Sequence, residues 1–370
     1  MWENAKTRKR LGNIMRVLYD YQIMLMQKYG GVSRGFCEVA SILKEYYKQD
    51  VEVVAKGSQN YYLESLFGVK SAKEIKAEYV KQNQIEVLQK CVSGRYDILH
   101  STWYHPYLYD VAGCKHVITI HDMVQECYPL YLENRSFVEC KKRLIESADA
   151  IIAVSQHTKE DIIKVYPHIS LDKVFVVHQG GKKEYRGTLS AMDVPQKYLL
   201  YVGARGGYKN FETFVVAAEK VMKKDSDIHL VCVGGGEFTP RERRMVYDMK
   251  DKVLHVHATD EQLEYLYRHA EAFVFPSKYE GFGIPIIEAF SYGCPVVLSD
   301  ASCFPEIATD AAVYFDPNDV DSMVDSIERI LSDRILRKEK VHKGLLRAED
   351  FSWANSAANM HKAYEQILQG

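Results

Sequence analysis

AEAFVFPSKYEGFGIPIIEAFSYGCPVVLSD, residues 270–300, contains a whole β–turn–α–β unit. Ala272–Phe275 is a strand-sized apolar run, and Pro295–Leu298 is a second. Between them a polar loop, Pro276–Gly283, leads into a helix that contains Ile286–Ser291. Pro285 suits a first helical turn, where its missing N–H is not needed. Strands that read as unbroken apolar runs are covered on both faces, as in a parallel sheet.

The same alternation extends in both directions. Downstream of residue 197 it predicts strands at Lys197–Val202, Ile228–Val233 and Val253–Val256. Helices are predicted at Phe211–Lys223, Arg241–Met249, Glu261–His269 and Asp321–Leu331. Upstream, strands are predicted at Ile14–Tyr19, Val51–Ala55, Asp97–His100, His116–Ile120, Ala150–Val154 and Lys173–His178. Ser33–Tyr46 reads as a helix with Ser33 as N-cap, and Tyr62–Cys91 as a charged, helix-rich excursion. Residues 180–197 lose the pattern and read as a linker. The expected fold class is therefore α/β, in two Rossmann-like halves with a cleft between them. Residues 1–185 form the first domain and 186–351 the second. The closing segment, Phe351–Leu368, has helical spacing and could cap the second domain or cross back to the first.

Composition agrees with this division. The 370 residues, at about 150 per domain, suggest two or three domains. With 47% apolar and 26% charged residues the chain can fill two cores. Lys plus Arg is 48 against 50 Asp plus Glu, a net charge of −2, which argues against a general nucleic-acid binder. No apolar run approaches membrane-span length, and the polar, basic start lacks the apolar core of a secretory signal. The eight cysteines form no Cys-x-x-Cys pair and read as free thiols of a reducing compartment, the cytoplasm. The basic segment Lys6–Arg10 reads either as a peripheral contact with anionic lipid or as a solubilising tail.

The loop after Ala272–Phe275 carries the sharpest chemistry. Gly281 and Gly283 let backbone amides approach a ligand, and the helix start that follows attracts phosphate. Glu280 and Glu288 flank it, and carboxylates beside phosphate make sense if they accept bonds from hydroxyls. Together they point to a nucleotide sugar, the alternative being a plain strand-to-helix turn. Lys209 and Arg205, in Gly203–Asn210, read as a diphosphate clamp or as a solvated basic loop. Gly234–Glu237 reads as a turn. In the first half, Gly30-Gly31 and His121-Asp122 follow strands, and Ser155 reads as an N-cap. Tyr104, Tyr107 and Tyr109 are candidates for acceptor contact. His255 and His257 alternate as on a strand, and no metal motif is read.

The assembled strings resemble retaining glycosyltransferases of family 4, whose architecture, GT-B, has two facing Rossmann-like domains. The likeness covers nearly the whole chain. It rests on the E-x7-E pair Glu280 and Glu288 within FVFPSKYEGFGIPIIEAFSYGCPVV. GGVSR at 30–34, VITIHD at 117–122, YVGARGGYKNF at 201–211 and FSWANSAANMHKAYE at 351–365 support it. The last resembles the family's C-terminal helix, which implies that a closing helix, 352–370, joins the first domain. The resemblance implies that Glu288 binds the donor ribose and that Glu280 faces the transferred sugar. Backbone amides of Phe282, Gly283 and Ile284 would bind the sugar or its distal phosphate. Lys209, with Arg205, would hold the diphosphate, Gly31 would approach it from the first domain, and His121 would lie near the donor sugar. His178-Gln179-Gly180 departs from the family's usual Pro-Asn-Gly turn.

The activity implied is metal-independent, cofactor-free hexosyl transfer with retention, from GDP-mannose or a UDP-hexose. The acceptor would be a saccharide or lipid-linked saccharide of surface polysaccharide synthesis, at the cytoplasmic face of the membrane. Two other readings stand beside it: a GT-B sugar-nucleotide epimerase and a silent nucleotide-sugar-binding partner subunit.

Overall fold

A computed structural model of the chain describes residues 14–105, 107–109, 111–131, 134–181 and 191–370. Lys6–Arg10 and positions 182–190 of the expected linker lie outside the described residues. The chain divides into two compact units, Met1–Gln179 with Trp353–Gly370, and Gly180–Ser352.

In the first unit six strands lie in the order β2-β1-β3-β4-β5-β6, all pairings parallel. They are β1 (Arg16–Tyr19), β2 (Asp50–Val53), β3 (Ile98–Ser101), β4 (Lys115–Ile120), β5 (Ala150–Ala153) and β6 (Val174–Val176). Val17, Ile98, Val117 and Ile152 present one apolar face. Phe36, Val39, Ala40 and Leu43 of the Gly31–Glu45 helix pack against it. So do Trp353, Ala357, Met360, Tyr364 and Ile367, spaced as one stripe of the Trp353–Gln369 helix. Each such Val, Ile, Leu, Phe or Met side chain, fully buried, contributes about 1.5–3 kcal/mol.

A buried polar chain fixes the register of that second helix. Tyr364 Oη lies 2.8 Å from Tyr19 Oη and 2.5 Å from His100 Nδ1, and His100 Nε2 lies 2.7 Å from Thr119 Oγ1. A neutral imidazole satisfies both of its contacts, and burial pushes the His100 pKa down to about 3.

The second unit has the order β12-β11-β10-β7-β8-β9, again all parallel. Its strands are β7 (Tyr198–Val202), β8 (His229–Val233), β9 (Val253–Val256), β10 (Ala272–Phe275), β11 (Val296–Ser299) and β12 (Val313–Phe315). Counted within the unit this is the doubly wound order 3-2-1-4-5-6. Four of its helix starts are capped by side chains, with complete capping boxes at Thr239 and Thr259 and aspartate caps at Asp319 and Asp333.

Two local expectations are corrected. Ser33 is not the N-cap, because the helix begins at Gly31 behind Gly30; the Ser33 hydroxyl donates to Gly30 O instead. The helix expected over Arg241–Met249 ends at Met245, and a 3-10 turn, Tyr247–Lys252, replaces its last part. Ser155 is an N-cap as expected, accepting from Thr158 N at 3.0 Å. The eight cysteines are free thiols. Among the described residues no helix is long and apolar enough to cross a membrane.

Candidate functional site

In a doubly wound sheet, the loops leaving the carboxyl ends of the two strands at the order reversal diverge and open a crevice. In the second unit those strands are β7 and β10, neighbours in the sheet. The loop after β7 carries Lys209; the loop after β10 carries Glu280. Lys209 Nζ donates to Glu280 Oε1 at 2.6 Å, and the two side chains are 19% and 14% exposed. The sequence separates them by 71 positions, and the order reversal brings them together.

Asn210 holds the two loops in place. It sits in the left-handed region at φ 57°, and its buried amide donates to Pro276 O at 3.1 Å and Pro317 O at 2.8 Å. Lys278 N donates to Tyr208 O at 2.7 Å, a backbone tie between the same loops. Ser302 grips Glu280 from the other side. Its hydroxyl donates to Glu280 O at 2.5 Å and accepts from Glu280 N at 3.1 Å. Neither Asn210 nor Ser302 was singled out from the sequence. The adjacency of Asn210 to Lys209 is the only local signal, and nothing local marks Ser302.

Gly281, Phe282, Gly283 and Ile284 form the turn into the Ile284–Ser291 helix. Gly283 is its N-cap at φ 91°, and a Cβ there would meet Ile286 Cδ1 at 2.9 Å, so glycine is required twice over. Phe282 is buried with its ring 5.5 Å from that of Phe351, and Cys303 Sγ lies 3.2 Å from Phe282 O. The first intrahelical bond runs from Ile286 N to Gly283 O, so the amides of Gly283 and Ile284 precede the helical ladder. Glu288, one turn further on, stands beside Tyr267. Burial first, and then the Glu288 charge, raise the Tyr267 pKa well above its ordinary value and keep its hydroxyl protonated.

The bonds of Arg205 run to the loop after β8 and to Glu242. Its guanidinium donates to the carbonyls of Gly234 (2.6 Å), Gly235 (3.3 Å), Gly236 (2.7 Å) and Glu237 (3.1 Å), and its Nε to Glu242 at 2.9 Å. Three successive left-handed glycines turn their carbonyls inward, and a buried fork with five donors satisfies them. Arg205 thus clamps the Gly234–Glu237 turn.

In the first unit the order reverses between β1 and β3. A cavity of about 480 Å³ opens there, lined by Tyr21, Leu25, Met26, Trp103, Tyr104 and Phe137 among others. The Tyr104 hydroxyl accepts from His121 N at 2.9 Å. Tyr107 donates to the buried Asp20 at 3.2 Å, and Tyr109 lies under Arg143 at 4.1 Å. Of the three tyrosines only Tyr104 lines the cavity; Trp103 lines it too and stacks on His121 at 6.0 Å. Burial lowers the His121 pKa to about 4, and its Nε2 is buried with no hydrogen-bond partner among the described residues. An imidazole held neutral, with one buried nitrogen unpartnered among the described residues, is a polar group that the local packing does not account for. Below it the buried Lys141 donates to Asp122 O at 2.5 Å and pairs with Glu126 at 3.1 Å. Gly31 is the exposed first residue of its helix.

Two Rossmann-like units of this kind define a GT-B enzyme. Solved structures agree on the fold. Sucrose-phosphate synthase from Thermosynechococcus elongatus superposes with a TM-score of 0.72 at 19% identity, over 96% of this chain and 100% of that one. Anabaena HepE, solved with UDP and glucose, gives 0.68 at 14% identity, over 95% and 99%. Residues 190–344 match the family model described as glycosyl transferases group 1, and residues 29–181 match glycosyltransferase family 4. The O-antigen chain mannosyltransferase B of Escherichia coli is 30% identical over 270 residues, 68% of this chain and 70% of that protein. The O-antigen chain mannosyltransferase RfbU of Salmonella typhimurium is 32% identical over 226 residues, 60% and 62% of the two chains. The chain belongs to the group 1 glycosyltransferases of family 4 and is a hexosyltransferase.

Proposed function

We propose that the chain transfers a hexose, mannose first among the candidates, from a nucleotide diphosphate sugar to a hydroxyl of a saccharide or lipid-linked saccharide. The anomeric configuration is retained, and the setting is surface polysaccharide synthesis in the cytoplasm, peripheral to the inner face of the membrane. The Lys209–Glu280 pair carries this reading. The names of the two relatives above support mannose and polysaccharide synthesis. GDP-mannose is the leading donor, with UDP-hexoses next.

Without donor, Lys209 neutralises Glu280. A diphosphate that draws Lys209 to itself frees the Glu280 carboxylate to accept bonds from sugar hydroxyls and to stabilise positive charge at the anomeric carbon. The bond from the anomeric carbon to the phosphate oxygen breaks, and a bond to the acceptor oxygen forms on the same face. The acceptor proton passes to the departing phosphate oxygen. Lys209 and the amides at the start of the Ile284–Ser291 helix stabilise the leaving charge, so this step is written without a metal. Glu288 binds ribose hydroxyls. In the first unit, the cavity beside Trp103 and Tyr104 is the acceptor candidate, and the unused His121 nitrogen is a positioning group.

A thermal-shift screen of UDP, GDP and ADP sugars, followed by product analysis, tests the reading. One nucleotide class should stabilise the protein by mass action. Lys209→Ala should abolish that shift, whereas Glu280→Gln should bind donor and lose transfer. Near-normal transfer in both variants overturns the site.

A further inference from the structure

Glu237, His255 and His257 bring three potential metal-ligand atoms within 4.8 Å of one another. Two residues apart at the end of a strand, His255 and His257 fall on the same side of the extended chain. β9 ends at Val256, and the two rings lie 5.2 Å apart, centroid to centroid. Glu237 comes from the loop after β8, the neighbouring strand.

His255 has the form of a prepared ligand. Its side chain is 8% exposed, and its Nε2 lies 3.1 Å from Gly234 O. A carbonyl can only accept, so Nε2 carries a proton, and Nδ1 is the ring nitrogen left to serve as a ligand. Nδ1 lies 4.0 Å from Glu237 Oε1, and His257 Nε2 lies 3.6 Å from the same oxygen. A carbonyl behind a histidine, fixing its tautomer, is the usual outer shell of a metal-bound imidazole. Tetrahedral zinc with bonds of about 2.0–2.2 Å sets its ligand atoms about 3.3 Å apart. The observed separations need only small side-chain rotations to reach that value. Arg205 holds the carbonyls of residues 234–237, so the loop that presents Glu237 is anchored before any ion arrives.

We propose that Glu237 Oε1, His255 Nδ1 and His257 Nε2 bind a divalent cation of borderline softness, zinc first, with water in the fourth position. The ion ties the exit of β9 to the 234–237 turn. It has no part in the transfer step proposed above.

Full-length protein freed of metal with a chelator, then titrated with zinc against a chromophoric competitor, tests this. Wild type should take up one equivalent, and cobalt in place of zinc should give the visible bands of a four-coordinate ion. Zinc should also slow amide exchange at residues 234–238 and 255–258. Glu237 and His257 side chains are 79% and 76% exposed, so Glu237→Ala and His257→Ala should fold. Each should weaken binding by roughly tenfold or more. His168→Ala, in the first unit, should leave it unchanged. Wild-type affinity in both site variants, or no uptake at millimolar zinc, overturns the proposal.

Discussion

Replacing Asn210 with alanine tests whether one side chain holds the β7 and β10 loops of the second unit together. The substitution removes two donations to buried carbonyls, at 3.1 and 2.8 Å, and an acceptor 2.7 Å from Thr213 Oγ1. Each neutral hydrogen bond contributes about 1 kcal/mol net, rising to about 3 where a buried partner is left unsatisfied. Alanine at φ 57° adds about 1 kcal/mol of backbone cost, which asparagine largely avoids. Together these give a loss of about 3–5 kcal/mol. Asn210→Gly loses the same bonds without the left-handed penalty, so it should be the milder variant by up to about 1 kcal/mol. None of the three tryptophans, Trp2, Trp103 and Trp353, falls within Gly180–Ser352, so fluorescence does not report the second unit directly. Native-state amide exchange in β7 and β10 therefore makes the measurement, with donor affinity as the functional companion. Wild-type protection of β7 and β10 in Asn210→Ala would refute the reasoning, since no other described side chain bonds both Pro276 O and Pro317 O.

Three further outcomes are expected. Lys209→Ala should lower kcat/KM by at least about 100-fold, the scale of losing a preorganised charge in a transition state; steady-state transfer assays measure it. Arg205→Ala should destabilise the second unit by about 3–5 kcal/mol, the range for orphaning one partner of a buried ion pair, here Glu242. Arg205→Lys should not restore the loss, because one ammonium cannot replace a fork; exchange in residues 234–237 reads both. The first unit should weaken on acidification. Burial lowers His100 to about 3 and His116 and His121 to about 4, below the value near 6.5 of the unfolded chain. Below about pH 6.5 the unfolded state binds more protons, so stability falls toward about pH 4, by up to about 1.4 kcal/mol per pH unit for each histidine. Asp20, raised by burial, takes up its proton in the folded state and offsets part of the loss. Urea midpoints followed by tryptophan fluorescence at a series of pH values check the sign.

Strands buried on both faces were the most legible elements, because nothing but apolar residues suits them. Ala272–Phe275 and Val253–Val256 were read to the residue. Val313–Phe315 was not, since three residues carry too little pattern. The Arg334–Glu349 helix also went unread: it is largely charged on its surface, and Gly344 interrupts it because a Cβ there would meet Phe290 at 2.6 Å. At the site, charges adjacent in sequence to a strand end were found, but their partners were not. Lys209 with Glu280, and Arg205 with the Gly234 turn, depend on which strands are neighbours, and strand order is not written in any one loop. The same limit hid the partner of His255 and His257: alternation puts the two on one side, but Glu237 reaches them from the loop after β8.

The Trp353–Gln369 helix has a consequence for synthesis. The first unit is discontinuous in the chain: its sheet is encoded by residues before 180, whereas a wall of its core comes from residues after 352. The second unit is continuous and can finish folding as it leaves the ribosome. The first must wait, with the seats of Trp353 and Tyr364 open to water, until the second has been made. A nascent chain of this protein therefore offers chaperones an apolar furrow for most of its translation. Loss of the final helix would leave that furrow open for good, although every strand of both sheets remained.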